Sequence, residues 1–368
     1  MLYYLNTKGF ILITKLLTIV IFGFSSIAVL ADETEQDLCV HVNDVSNISS
    51  HSYRSKTIYN RNYDAFPYAT KIGNSIVGIF STGTAHAQSD KQVMFRSDDG
   101  GNTFRVKDFF INSNQKYDFS LVDDLLNEGK SVDLKVWNLR KNDGLVKATT
   151  TSKADGYSIW STPKNAGAKL YRTGYNAKIW QTALLESLDG GVTWKFKSII
   201  APTTAGKQFS EADIVNTHSD NWIAYIREDK GKDNNLYRSI STNNGNTWST
   251  PTVLDPKLIN GRQPNLTKLD NGSIILVTGD RTGSSGYAGK SGNVVYGKDT
   301  TGITIFRSTD NGKTWSPRKR VSPIYSTDGG QPSIVDLGSG KVFIAWYARK
   351  TTKGKPSINS CTININNL

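Results

Sequence analysis

Short apolar runs alternate with turns rich in Gly, Asn and Asp along most of the chain. The clearest examples are four long repeats, each a run, a turn and a second run, at 66–80, 211–227, 263–281 and 331–349. Runs bounded by such turns are typical of β-strands, and no stretch of useful length shows helical periodicity. The pattern therefore predicts an all-β protein assembled from hairpins.

A shorter repeat of eight residues follows the form Ser-x-Asp/Asn-x-Gly-x-Thr-aromatic. It occurs at 97–104, 187–194, 241–248 and 308–315. The Asp or Asn side chain can accept hydrogen bonds from the backbone of its own turn, Gly takes the positive φ of a tight turn, and the aromatic ring is suited to burial against a neighbour. A calcium loop is the alternative, but one or two carboxylates are too few for that ion. We interpret these octads as structural hairpin clamps that bind no metal.

The two repeats together define a larger unit, because a long repeat precedes an octad in three of the four cases. Each unit would contain four strands, and four strands repeated over ~40–50 residues are typical of a β-propeller blade. The octads are 90, 54 and 67 residues apart, so the first gap holds either a blade without an octad or a long loop. At ~50 residues per blade, residues 32–368 predict a single domain, a six-bladed β-propeller.

The composition agrees with a globular protein. Of 368 residues, 37% are hydrophobic and 21% charged, which excludes a disordered, collagen-like or multi-span membrane chain. Two cysteines exclude a disulfide-rich scaffold and a cysteine-cluster metal site. The four histidines have no ligand spacing, which argues against a zinc enzyme. We expect no cofactor.

Residues 1–31 have the features of a secretory signal peptide. They contain Lys8 and Lys15, no acidic residue, and an apolar run from 16 to 31 that includes Ala28 and Ala31 near its end. An uncleaved anchor is the alternative, although the run is short for a ~30 Å hydrocarbon core. We expect a secreted or periplasmic product with no membrane span after cleavage, and with its net charge lowered from +12 to +10.

Export makes a disulfide between the two cysteines permissible. Cys39 and Cys361 lie near opposite ends of the chain, and in a propeller the N-terminal strand often completes the last blade. A bond between them would then close the ring. Two unrelated buried thiols are the alternative.

The positive charge is compatible with nucleic acid, an anionic membrane or an acidic polysaccharide. The lysines and arginines are scattered, and no nucleic-acid-binding motif is present. An acidic glycan is therefore the more natural partner, and no nucleic-acid partner is expected. The oligomeric state is not predicted.

The hairpins place chemistry at one end of the propeller. In an antiparallel hairpin, the start of the first strand and the end of the second lie together, so the open ends of the inner hairpins meet around one mouth of the channel. Arginines suit this place if the ligand has a carboxylate, because the guanidinium binds it bidentately. Each residue also has an ordinary alternative as a solvated strand end or loop residue. The candidates are Glu211, Arg227, Arg281, His86, Arg262, Gln331, Arg349 and Asp64.

These residues resemble the sialidase (neuraminidase) superfamily over most of 60–350. The octads are similar to its Asp boxes, and the stronger match is Glu211 opening a strand, with Arg227 sixteen residues later and Arg281 in the next long repeat. The resemblance implies that Glu211 supports catalysis and that Arg227 and Arg281 hold a substrate carboxylate.

The chain departs from the exo-sialidase pattern at three positions. Ala65 stands where the first arginine is expected, and His86 stands near the place of the acid/base aspartate, with Asp90 close by. Gln331 stands where the nucleophilic tyrosine is expected, with Tyr325 a displaced candidate. This set resembles phage tailspike endosialidases, which cleave internal linkages of polysialic acid, although those enzymes carry a trimerising stalk.

The resemblance implies a catalytic set of Glu211, His86, Arg227 and Arg281, with Glu211 or His86 as general acid or base. Arg262, Gln331, Arg349 and Asp64 are predicted to bind substrate. We therefore expect a secreted glycoside hydrolase of sialic-acid-type linkages, with endo attack on polysialic or capsular polysaccharide as one mode of action. A non-catalytic propeller that binds acidic glycans is the main alternative, and a propeller that scaffolds other proteins is a third. The segment 105–180 adds Trp160 and Tyr175 as candidates for a substrate-facing loop.

Overall fold

Each long repeat forms an antiparallel hairpin, as its pattern predicts. In the first, Tyr63–Ile72 pairs with Ser75–Ala85, and Gly73 takes a φ of +61° in the turn between them. A side chain at Gly78 would collide with the backbone oxygen of Tyr68 2.7 Å away. Both strands are buried on both faces over most of their length, which explains their nearly continuous apolar sequence.

The computed structural model describes residues 37–41, 53–86, 88–111, 116–230, 235–255, 259, 261–280, 302–324, 328–349 and 354–368. These residues form six sheets arranged as a six-bladed β-propeller. The fold class predicted from the repeats is confirmed.

The strands of the described residues are numbered in chain order. The first fourteen are β1 (Cys39–His41), β2 (Tyr53–Tyr59), β3 (Tyr63–Ile72), β4 (Ser75–Ala85), β5 (Gln88–Ser97), β6 (Arg105–Ile111), β7 (Lys116–Tyr117), β8 (Val132–Leu134), β9 (Trp137–Asn142), β10 (Leu145–Thr150), β11 (Lys153–Ala154), β12 (Tyr157–Ile159), β13 (Lys164–Ala166) and β14 (Lys169–Asn176). The others are β15 (Gln181–Ser187), β16 (Lys195–Ala201), β17 (Phe209–His218), β18 (Asn221–Glu228), β19 (Leu236–Ser241), β20 (Thr252–Val253), β21 (Arg262–Lys268), β22 (Ile274–Asp280), β23 (Gly302–Ser308), β24 (Lys319–Pro323), β25 (Gly330–Gly338), β26 (Lys341–Arg349) and β27 (Pro356–Asn364). A short helix, α1 (Asp123–Asn127), precedes β8, and a 3-10 turn (Ile365–Asn367) follows β27.

Successive sheets form successive blades. Blade 1 is β3 to β7, blade 2 is β8 to β10, and blade 3 is β11 to β16. Blades 4 and 5 are β17 to β20 and β21 to β24, and blade 6 is β25, β26 and β27 joined by β2 and β1. Strands β14, β17, β21, β25 and β3 contact one another in that order around the axis, and β8 contacts β3. The long gap between octads therefore holds a blade, three-stranded and without an octad.

The ends of the chain close the ring. Strand β2 pairs antiparallel with β27, β1 pairs parallel with β2, and Cys39 is bonded to Cys361 with their Cα atoms 6.4 Å apart. The predicted disulfide is confirmed. The predicted signal peptide at 1–31 lies outside the described residues. Within the part of the chain that the structure describes, no helix has the length and apolarity needed to cross a membrane.

The octads clamp the turns between the third and fourth strands, as predicted. In the second octad, Ser187 Oγ and Thr193 N lie 2.8 and 2.9 Å from Oδ1 of Asp189, and Thr193 Oγ1 lies 2.6 Å from Oδ2. Burial alone would raise the pKa of Asp189, but these hydrogen bonds hold it at about 2. The octad aromatic then packs on a neighbouring blade: the ring of Trp315 meets Tyr225 edge-on, with centroids 5.6 Å apart.

Replacing Asp189 with Ala is expected to lower the free energy of unfolding by about 1 kcal/mol, because the turn loses its hydrogen-bond acceptor. Asp189→Asn is the matched control, since Asn243 fills the same position of the third octad and accepts from Thr247 N at 2.9 Å. A carboxylate with a lowered pKa stabilises the fold above pH 4 and loses that effect as the pH falls to about 2. Urea unfolding at pH 7 and pH 3 should show a larger acid loss of stability for wild type than for Asp189→Asn, because the other carboxylates with lowered pKa, such as Asp98 and Asp310, titrate in both proteins. Equal destabilisation of the Ala and Asn variants at pH 7 would contradict the clamp.

Candidate functional site

The inner hairpins bring their open ends to one mouth of the channel, as the antiparallel pairing predicts. Asp64 lies opposite Thr82 in blade 1, Phe209 opposite Glu228 in blade 4, and Gly330 opposite Tyr347 in blade 6. Residues at the starts of β3, β17, β21 and β25 therefore share this mouth with residues at the ends of the strands that follow them.

A backbone irregularity shapes three of these strand starts in the same way. Phe66, Gln263 and Gln331 each precede a proline, take a φ of +43° to +61° and lie at a β-bulge. Left-handed conformations of residues other than Gly cost energy and concentrate at functional sites. The bulges turn these residues out of the regular alternation of the strand, and an inter-blade bond from Gln331 N to Gln263 Oε1, at 2.7 Å, ties two of them together.

The first group of ionic side chains at the mouth is the glutamate network, formed by Glu211, Arg227, Asp229 and Arg262. Arg227 donates to Glu211 through Nη1 and to Asp229 through Nη2, the latter at 2.5 Å. Arg262 reaches the same Asp229 oxygen at 3.1 Å. Two arginines from adjacent blades are thus held by two carboxylates.

The second group is the histidine network, formed by His86, Tyr63, Asp328 and Arg349. Nδ1 of His86 lies 2.9 Å from Asp328 Oδ1 and 2.8 Å from the Tyr63 hydroxyl, which itself donates to Asp328. Arg349 donates to the other Asp328 oxygen at 2.9 Å. The network joins the first blade to the last.

The histidine network orients the His86 ring. Because a carboxylate only accepts hydrogen bonds, Nδ1 carries the proton and neutral His86 presents Nε2 as an acceptor. The Phe66 ring meets the imidazole edge-on, with centroids 5.1 Å apart. The side chain is 58% exposed, against 16% for Asp328. A half-buried carboxylate therefore holds an accessible imidazole at the mouth.

The charges of both networks follow from burial and pairing. Burial alone would raise the pKa of Asp328, but hydrogen bonds from His86, Tyr63 and Arg349 bring it below its usual value. Burial and the bond to Asp328 raise the pKa of Tyr63 far above its usual value. Burial opposes the charge of Arg227, but Glu211 and Asp229 outweigh it and raise the pKa of this guanidinium. At neutral pH Asp328 and Arg227 are therefore charged, and Tyr63 is a neutral phenol.

A third feature of the mouth comes from blades 2 and 3. Lys135, at the tip of the β8–β9 hairpin, places Nζ 4.9 Å from the centre of the Trp160 ring. Trp160 in turn meets Tyr175 edge-on, with centroids 6.0 Å apart. Lys135 and Trp160 line a small cavity on the axis together with Gln263 and Gln331. Of the two aromatic residues of the segment 105–180, Trp160 lines this cavity and Tyr175 contacts Trp160.

Two of the residues predicted to bind substrate have internal partners instead. Asp64 is 0% exposed, accepts from the backbone N–H groups of Arg61 and Asn62, and accepts from Thr82 Oγ1 at 2.5 Å. Its carboxylate is used to shape the turn before β3. The side chain of Arg262 is only 4% exposed, so this guanidinium serves the glutamate network rather than the surface.

Gln331 is 7% exposed and lines the axial cavity. Among the described residues, its Oε1 has no hydrogen-bond partner. Arg281, Tyr325 and the side chain of Asp90 lie outside the described residues, so their predicted roles stay predictions.

Four residues of the mouth were not predicted from the sequence: Asp229, Asp328, Tyr63 and Lys135. Asp229 follows Arg227 by two residues and Asp328 precedes β25 by two, so both stand at strand ends that the hairpin argument had already marked. Tyr63 opens β3 in the same way. Lys135 had no such signal, because its blade has neither an octad nor a long repeat.

The arrangement combines three capabilities. An oriented imidazole can transfer a proton, fixed arginines can hold a carboxylate, and a tryptophan beside a lysine can hold a sugar ring next to an anionic group. Among the described residues, no cluster of three or more His, Cys, Asp or Glu side chains has the geometry of a metal site. Six blades, four octad clamps and ionic networks at one mouth define a six-bladed β-propeller with a polar mouth.

The chain belongs to the BNR repeat-like domain family, whose model matches residues 69–343. Among curated proteins, it is 32% identical over 139 residues to a xyloglucanase from a Paenibacillus species, a match that covers 36% of this chain and 13% of that protein. The chain therefore spans only a small part of that relative.

Solved structures show the same fold at low sequence identity. A protein of unknown function from Dyadobacter fermentans superposes with a TM-score of 0.61 at 16% identity, covering 84% of this chain and 97% of that one. A sialidase from Streptococcus pneumoniae gives 0.52 at 11% identity, covering 89% and 73%. The Hadza microbial sialidase Hz136 gives 0.52 at 14% identity, covering 83% and 66%. At these identities the likeness establishes the fold.

Proposed function

We propose that this protein is a glycoside hydrolase that cleaves linkages of acidic, sialic-acid-type sugars at the mouth of the propeller. The observation that carries the proposal is His86, an exposed imidazole held by the half-buried carboxylate of Asp328 at the same mouth as paired arginines. The names of the similar proteins, sialidases and a xyloglucanase, support glycoside hydrolysis as the reaction class.

The arginines of the mouth favour a substrate that carries a carboxylate. The side chains of Arg349 and Arg227 are 23% and 17% exposed, so each keeps an edge toward the mouth while its carboxylate partner fixes its orientation. A guanidinium that is already ordered loses little entropy when it binds a ligand carboxylate. Arg281, predicted to share this role, remains part of the proposal.

The proton transfer is assigned to His86. Hydrolysis of a glycosidic bond removes a proton from the attacking water and places a proton on the leaving oxygen. Neutral His86 would accept the proton of water at Nε2, and the leaving oxygen would take its proton from the resulting imidazolium or from solvent. Nε2 of His86 faces the mouth with its tautomer set by Asp328. Glu211 is 7% exposed and accepts a hydrogen bond from Arg227. We therefore propose that it supports catalysis by orienting that arginine and does not itself transfer a proton.

The proposal is tested by incubating the purified protein with polysialic acid and with sialyllactose, and following chain length by chromatography. Shortening of the polymer without free monomer, lost in Glu211→Ala, would establish an endo-acting hydrolase. Release of monomer from both would establish an exo-acting one. Xyloglucan serves as the neutral control polymer, and cleavage of xyloglucan alone would overturn the acidic specificity.

A non-catalytic acidic-glycan-binding propeller is the second candidate. The observation that favours it is the presence of Ala65 and Gln331 where the resembling enzymes place an arginine and a tyrosine. It predicts saturable binding of polysialic acid that survives Glu211→Ala, with no change in polymer length after prolonged incubation.

A further inference from the structure

We propose that Lys135 is a substrate-binding residue whose ammonium group pairs with the carboxylate of the acidic sugar while the sugar ring lies against Trp160. This inference rests on the proposed function and names the cation of that site. Position 65, where the exo-sialidase pattern has an arginine, is Ala65 in this chain. Lys135 of blade 2 would take over the binding of the substrate carboxylate from that arginine.

The cations of the mouth differ in their charge pairing. In the part of the mouth that the structure describes, Arg227, Arg262 and Arg349 each pair with Glu211, Asp229 or Asp328. The Lys135 ammonium instead lies over the Trp160 ring, with no carboxylate at ion-pair distance among the described residues. It is therefore the cation with the most to gain from a ligand carboxylate.

Lys135 and Trp160 are held in place by a buried arginine, Arg172. Lys135 sits in a hairpin tip at a φ of +55°, and its carbonyl oxygen accepts from Arg172 Nη1 at 2.7 Å. The Nε and Nη2 atoms of the same guanidinium donate to the Ser161 carbonyl oxygen at 3.0 and 2.5 Å. Arg172 is 2% exposed. One buried arginine thus fixes the two loops that carry Lys135 and Trp160 against each other.

A hydrogen bond connects the strand that carries Arg172 to the strand that carries Glu211. Thr173, next to Arg172 on β14, donates to the carbonyl oxygen of Ala212 at 2.5 Å, and Ala212 follows Glu211 on β17. The cavity below Lys135 and Trp160 has a volume of about 30 Å³ and is lined also by Gln331. It has room for little more than a water molecule, so a sugar ring would lie above it, at the open mouth.

The Lys135 ammonium changes its charge within a pH range that is accessible to binding experiments. Burial lowers the pKa of Lys135 to about 8, Glu211 acts to raise it and Arg172 lowers it further. The Tyr68 hydroxyl lies against the Lys135 backbone, and Asp133 precedes it on β8, with burial raising the pKa of each. Lysine is charged below its pKa, so Lys135 loses its charge as the pH rises from 7 to 9.

The test compares sialyllactose with its methyl ester, which lacks the negative charge, by calorimetric titration. Lys135→Met should weaken sialyllactose binding about 10- to 100-fold and change ester binding less than twofold. Wild-type affinity for sialyllactose should fall about tenfold between pH 7 and 9, whereas Lys135→Arg should keep a flat profile. Lys147→Met, an exposed lysine of the same blade, is the matched control.

The outcomes separate the two proposals. Sialyllactose binding by wild type that is unchanged in Lys135→Met overturns the role of Lys135 and leaves the proposed function standing. Failure of wild type to bind either sialyllactose or polysialic acid overturns both. If Lys135→Met does not fold, the pH profiles of wild type and Lys135→Arg decide, and two equally flat profiles count against Lys135.

Discussion

Replacing His86 with Gln is expected to lower kcat for cleavage of the acidic sugar about 10²- to 10⁴-fold, the usual contribution of a general acid or base. Glutamine can still donate to Asp328 but cannot carry a proton to the reacting oxygen. Substrate binding should change less than threefold, because the arginines and Lys135 are untouched. The measurement is kcat from the chain-length assay together with the dissociation constant from calorimetry.

His218→Gln is the matched control for this prediction. His218 ends β17, so at about 3.3 Å per residue it lies roughly 20 Å along the strand from Glu211. This variant should keep wild-type kcat. Asp328→Asn should lower kcat with little effect on binding, because the imidazole loses the partner that sets its tautomer. A His86→Gln protein that retains a third or more of wild-type kcat would remove His86 from the mechanism.

Removing the disulfide is expected to have the largest effect on stability. Cys39 and Cys361 are 322 residues apart, and a cross-link that closes so long a loop restricts the unfolded chain strongly. The chain-entropy account gives about 6 kcal/mol, and removal of a native disulfide typically costs about 2–5 kcal/mol. The paired variant Cys39→Ser/Cys361→Ser should therefore unfold at clearly lower urea concentration. It should still have the far-ultraviolet spectrum of a β protein, because β2 remains paired with β27.

Reducing agent provides the control for the serine variant. Dithiothreitol should lower the unfolding midpoint of wild type to that of the serine variant and leave the variant itself unchanged. Equal midpoints for oxidised wild type and the serine variant would show that the hydrogen bonds between β2 and β27 close the ring without the covalent bond.

The fold was predictable from the sequence because its determinants are local. The octads at 97–104 and 308–315 are formed by hydrogen bonds within eight residues, and each inner hairpin closes through a short turn. The order of strands in a blade follows directly from these two repeats. Blade 2 could be predicted only from the 90-residue spacing between the first two octads, because its three strands contain neither the long repeat nor an octad.

The mouth was predictable only in part, because its contacts join distant blades. The proximity of Glu211 and Arg227 was predictable, because they lie at the open end of one antiparallel hairpin. By contrast, His86 and Asp328 are 242 residues apart, and they meet only when the last blade closes against the first. The burial of Asp64 and Arg262 was equally hidden, because it depends on which neighbours the closed ring supplies.

The claim that acidic sugar binds at this mouth is tested most directly by following the histidine ring resonances during titration with sialyllactose. The chain has only four histidines, and the His86→Gln and His218→Gln variants identify the two that matter. We predict that the His86 resonances move saturably with added sialyllactose while those of His218, at the far end of β17, stay in place. Saturable binding that moves His218 and leaves His86 unmoved, or no shift of either at millimolar ligand, would contradict the account.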